Sequence, residues 1–132
     1  MRIFVMGDIH GAYKAMMQCL ERAGFDYLED TLIQIGDLVD GYDEVYLCVE
    51  ELLKIKNLVT IKGNHDDWFT EFIQTGNHPA GWAQGGEGTA ISYLRLTNKE
   101  GLTLALRPQK YKYSLIPPQK QKGNTNPLRI FY

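Results

Sequence analysis

The sequence predicts an α/β fold, a β-α-β-α-β half-sheet, and three observations predict it. Apolar runs recur at Ile3-Phe4-Val5-Met6, Leu32-Ile33-Gln34-Ile35 and Leu58-Val59-Thr60-Ile61, each short enough for a buried strand. Between them lie two stretches with apolar residues at helical spacing. The connections are short, which implies parallel strands joined by right-handed crossovers.

Residues 2–6 form the first expected strand. From Ala12 to about Ala23, the positions Ala12, Met16, Cys19, Leu20 and Ala23 follow helical spacing, and Gly24 closes that helix. Thr31 to Ile35 is the second strand. Val45, Cys48, Val49, Leu52 and Leu53 mark a second helix, with Asp43 placed as its N-cap. Leu58 to Ile61 is the third strand. A third helix is expected from Asp66 to about Gln74, a glycine-rich loop from Gly76 to Gly88, and helix again from Thr89 to Leu96.

At 132 residues with 44% hydrophobic content, the chain fits one globular domain. Its two cysteines, both expected on apolar helix faces, argue against a disulfide framework and for a reducing cytoplasm. No leader-like segment and no apolar run of membrane-spanning length are visible. Charge divides the chain: residues 1–100 hold all 16 acids with 8 bases, and residues 101–132 hold 6 bases and no acid. With Pro108, Pro117, Pro118 and Pro127 among those bases, residues 107–132 are expected to be an extended or disordered tail behind a domain of residues 1–106.

Each strand run ends in a glycine that opens a polar cluster: Gly7-Asp8-Ile9-His10-Gly11, Gly36-Asp37-Leu38-Val39-Asp40-Gly41 and Gly63-Asn64-His65-Asp66. Strand ends of this kind face the crevice where open α/β sheets bind ligands. Asp8 and His10, two apart in extended chain, point to the same side. A carboxylate with an imidazole suits Mn²⁺, Fe²⁺ or Zn²⁺ better than calcium. Asp37 can offer its oxygens to two ions, and Asn64 offers a neutral amide oxygen. The sum resembles a two-metal hydrolytic centre, in which an activated hydroxide attacks in line. His78, beside Pro79, reads as a solvated loop histidine.

In order and spacing the three clusters resemble the first signature blocks of the calcineurin-like metallophosphoesterase superfamily, in particular its bacterial and phage serine/threonine-phosphatase branch. The resemblance covers residues 2–96. It implies the N-terminal half of a four-layer α/β/β/α fold, with Asp8, His10 and Asp37 on a first metal and Asp37 and Asn64 on a second. It implies Mn²⁺, Fe²⁺/Fe³⁺ or Zn²⁺ as cofactors. His65 is implied to assist the leaving oxygen rather than to ligate, and Asp40 to orient His65 by a hydrogen bond. Substrates implied are phosphorylated small molecules, nucleotides or phosphoproteins.

Two departures qualify that expectation. Gly41 stands where the protein-phosphatase pattern has a phosphate-gripping arginine, which weakens the case for phosphoprotein substrates. The family uses two further histidine ligands from later strands, whereas this chain holds only His10, His65 and His78. A truncated member is therefore expected, retaining no more than one metal, hydrolysing aryl phosphates weakly or not at all, and exposing apolar sheet surface. Its alternatives are a metal-binding remnant without turnover and a subunit completed by a partner. Nucleic-acid binding through the basic tail ranks last, because charge alone gives only salt-sensitive, non-specific attraction.

Overall fold

A computed structural model describes residues 1–77 and 79–97 of the chain. Strands β1 (Ile3–Met6), β2 (Thr31–Gln34) and β3 (Asn57–Thr60) form one parallel sheet in the order β1-β2-β3. Helices α1 (Tyr13–Arg22) and α2 (Val45–Leu52) occupy the two crossovers, α3 (Asn64–Thr75) follows β3, and a 3₁₀ turn (Ala80–Ala83) leads into α4 (Gly86–Thr97). The mixed α/β architecture and the parallel order agree with the expected half-sheet. The tail of residues 107–132 and the solvated reading of His78 lie outside the described residues.

Strand periodicity of two divides the sheet into unlike faces. Phe4, Met6, Leu32 and Leu58 face the helices, where Met16 and Leu20 of α1 and Val45, Cys48, Val49 and Leu52 of α2 complete the core. The opposite face carries Ile3, Val5 and Val59, continued beyond the strands by Ile35 and Ile61, all exposed. An apolar sheet face open to solvent is the surface that the sequence leads one to expect.

Three local expectations change. Glu44, not Asp43, occupies the N-cap of α2 and makes no side-chain cap, and Asp43 is instead paired with Arg95 of α4. Cys19 is exposed on α1, whereas Cys48 is buried, its thiol pushed up to about 12 by burial. Helix α4 starts at Gly86 instead of Thr89, so two glycines of the expected loop are helical. Their lack of a side chain is what lets this segment dock: a Cβ on Gly86 would enter the Trp82 ring, and one on Gly88 would meet the Gly41 carbonyl.

Candidate active site

The loops after β1 and β2 are bound to each other before any side chain is considered. Ile9 and His10 N–H both donate to the Asp37 carbonyl at 3.0 Å, Gly11 N–H to Leu38 O at 3.0 Å, and Tyr42 N–H to His10 O at 2.9 Å. Gly36, at φ +104°, lets the loop after β2 press on the one after β3, where a Cβ would stand 2.6 Å from Gly63 N. The only non-glycine residues with positive φ among those described are His10 (48°), Asp37 (52°) and Asp40 (67°). Left-handed backbone is disfavoured for such residues and gathers at functional sites. All three are candidate site residues.

Asp66 ties the second and third loops together. Its buried carboxylate accepts N–H bonds from Asp37 (2.8 Å), Leu38 (3.1 Å), Val39 (3.3 Å) and Gly63 (2.9 Å). Burial pushes this carboxyl up, and the four N–H bonds oppose the rise. The Gly63 bond is the backward half of a capping box, with Asp66 at the third position of α3. That spacing was the available signal.

On this frame the ligating atoms of His10, Asp37 and His65 lie within 4.8 Å of one another. His10 Nδ1 is 2.9 Å from the Val39 carbonyl, and because a carbonyl can only accept, Nδ1 carries the proton. Nε2 is left with a lone pair for a metal, the usual way in which a second-sphere bond fixes a ligating imidazole. The Asp8 carboxylate stands outside the trio, 3.9 Å from His10 Nε2, with its side chain 66% exposed. Asn64 is exposed on the first turn of α3. His10 Nε2 and the Asp37 carboxylate offer a mixed nitrogen and oxygen donor pair that fits a divalent transition ion, with Asp8 and Asn64 at its margin.

His65 is held differently. Its Nδ1 is 2.9 Å from Asp40 Oδ2, its backbone N–H donates to Asp37 Oδ1 at 3.0 Å, and its ring packs edge-on against His10 and Trp68. A carboxylate on Nδ1 fixes the proton there and leaves the lone pair on Nε2. Asp40 is fully buried and also accepts from Trp82 Nε1 and Thr89 Oγ1, each at 2.8 Å. Trp82 and Thr89, like Asp66, were not singled out by sequence; a tryptophan inside glycine-rich text was the one hint.

A profile of the Calcineurin-like phosphoesterase family matches residues 1–120. The chain is 36% identical over 85 residues to serine/threonine-protein phosphatase 2 of Escherichia coli, covering 64% of this chain and 38% of that protein. It is 34% identical over 64 residues to serine/threonine-protein phosphatase 1 of Salmonella typhimurium, covering 48% and 29% respectively. To the symmetrical bis(5'-nucleosyl)-tetraphosphatase of Aggregatibacter actinomycetemcomitans it is 36% identical over 76 residues, covering 57% and 26%. These matches span 26% to 38% of the relatives' length. The strand-end clusters, the parallel half-sheet and the family profile agree, and the chain belongs to the calcineurin-like phosphoesterase family.

Proposed function

We propose that the chain is a metal-dependent phosphoesterase that cleaves phosphate esters or the phosphoanhydrides of nucleoside polyphosphates. The observation that carries this reading is the convergence of His10, Asp37 and His65 within 4.8 Å at three adjoining loops, with the Nδ1 of each imidazole already engaged. Asp8, His10 and Asp37 would hold a first ion; Asp37 and Asn64 would be the only protein ligands of a second, which is the first to be lost. Mn²⁺, Fe²⁺/Fe³⁺ or Zn²⁺ are the occupants that this donor chemistry suits. Such ions, when bound, supply Lewis-acid activation of water and neutralise charge on phosphoryl oxygens.

The chain's own residues do the rest. Asp40 keeps the His65 proton on Nδ1 and aims Nε2 at the reacting centre. From there a protonated His65 hands its Nε2 proton to the leaving oxygen, and Asp40 stabilises the imidazolium before that transfer. Gly41, at φ +87° and within 3.1 Å of His10 through a hypothetical Cβ, brings no guanidinium to the phosphate. That favours small phosphorylated or nucleotide substrates over phosphoproteins. No helix among the described residues is long and apolar enough to cross a membrane. Two cysteines without a disulfide between them support a cytoplasmic setting.

Slow release of phenolate from an aryl phosphate in Mn²⁺, abolished by chelation and restored by added metal, is the expected result. Absence of metal-dependent hydrolysis with aryl phosphates and dinucleoside polyphosphates alike would refute the reading.

A further inference from the structure

We infer that Trp82 and Thr89 are positioning residues for His65, acting through Asp40, so that the glycine-rich segment is a working part of the site. The inference rests on the proposed role of His65 and extends it to residues that touch neither metal nor substrate. Asp40 is fully buried, and a buried carboxylate without full compensation is costly. Its two oxygens are divided. Oδ1 accepts from Trp82 Nε1 and Thr89 Oγ1, each at 2.8 Å, and Oδ2 accepts from His65 Nδ1 at 2.9 Å.

Thr89 closes a small ring: Asp40 N–H donates to Thr89 Oγ1 at 2.7 Å, while the same hydroxyl donates back to Asp40 Oδ1. With Oδ1 pinned by two donors, the carboxylate cannot rotate about its Cβ–Cγ bond, and Oδ2 stays pointed at the imidazole. The donors themselves are locked. Trp82 is buried and stacks on Phe72 with ring centroids 4.1 Å apart. Gly41 N–H donates to Gly85 O at 3.0 Å, and Gly85, at φ +113°, comes so near that a Cβ would sit 2.6 Å from Gly41 N. The glycines therefore serve to bring Trp82 and Thr89 against the loop that carries Asp40.

The test compares the full-length wild-type chain with Thr89→Ser, Thr89→Val and Trp82→Phe. Two readouts are taken: the His65 ring tautomer from long-range ¹H–¹⁵N NMR, which needs no turnover, and kcat with KM on an aryl phosphate. Thr89→Ser keeps the hydroxyl and should keep a single Nδ1–H tautomer and near-wild-type kcat. Thr89→Val and Trp82→Phe should give mixed tautomers and lower kcat by roughly 10- to 100-fold with KM nearly unchanged. In a His65→Ala background the additional loss from Thr89→Val should vanish, because the effect runs through His65. Should Thr89→Val fail to fold, Trp82→Phe carries the same comparison with the hydroxyl intact. A single unchanged His65 tautomer in folded Thr89→Val and Trp82→Phe would overturn the inference, as would a kcat loss that persists without His65. If the wild type shows no turnover but the tautomers respond as described, the inference stands and the proposed hydrolysis fails.

Discussion

His65 and Asp8 belong to one site and are held in opposite ways. The His65 side chain is 16% exposed and backed by a fully buried carboxylate that takes two further donors. Asp8 is 66% exposed at the end of β1, with His10 Nε2 3.9 Å away. On the roles proposed for the two residues, the site divides its labour. A group that must present one nitrogen at one angle is oriented by a buried hydrogen-bond network, which costs no reorganisation when the reaction occurs. A group that binds an ion can stay in water, because the ion itself orders it.

The comparison breaks first at His65. His65→Ala should lower kcat by roughly 10²–10⁴-fold on substrates with poor leaving groups and much less on good ones, as measured with a series of aryl phosphates. Equal losses across the series would place His65 with the ligands and remove the contrast. Asp66 sharpens the comparison at the level of the frame. Asp66→Ala strands four backbone N–H groups, three of them in the loop that carries Asp37 and Asp40. It should cost roughly 3 kcal/mol or more in denaturant unfolding. A loss below about 1 kcal/mol would mean that water replaces the carboxylate and that the loops are not fixed by it.

The smallest effect concerns a pair remote from the site. Hydrogen bonds from the Arg2 guanidinium, and from the Asp26 backbone, hold the Asp30 carboxyl well below the usual carboxylate range. A lowered folded value means stability that is fully present above about pH 4 and lost as pH falls through the folded value. Asp30→Asn should therefore be less stable than wild type near neutrality, and the gap in denaturation midpoint should close in acid. A gap independent of pH would assign the effect to packing.

The three strands and helices α1 and α2 were legible because their apolar residues repeat at periods of two and 3.6, a signal carried by neighbours in sequence. The clusters at the strand ends were legible for the same reason. What escaped was held by long-range contact. Trp82 and Thr89 reach Asp40 across 42 and 49 residues. The glycines around them read as freedom when in the fold they permit close approach. Asp66 was quoted within its cluster, but its tie to the loop of Asp37 spans 29 residues and no local spacing shows it.

On the proposed reading, Asp37 organises the metal. Titration calorimetry of Mn²⁺ into the full chain, its Asp37→Asn variant and its His65→Ala variant tests it directly. Water must fill the positions that Asp8, His10, Asp37 and Asn64 leave open on ions of about six ligands, so no more than one Mn²⁺ per chain is expected in the wild type. Binding should be lost in Asp37→Asn and nearly unchanged in His65→Ala. Mn²⁺ affinity unaffected by Asp37→Asn, or lost in His65→Ala, would contradict the account.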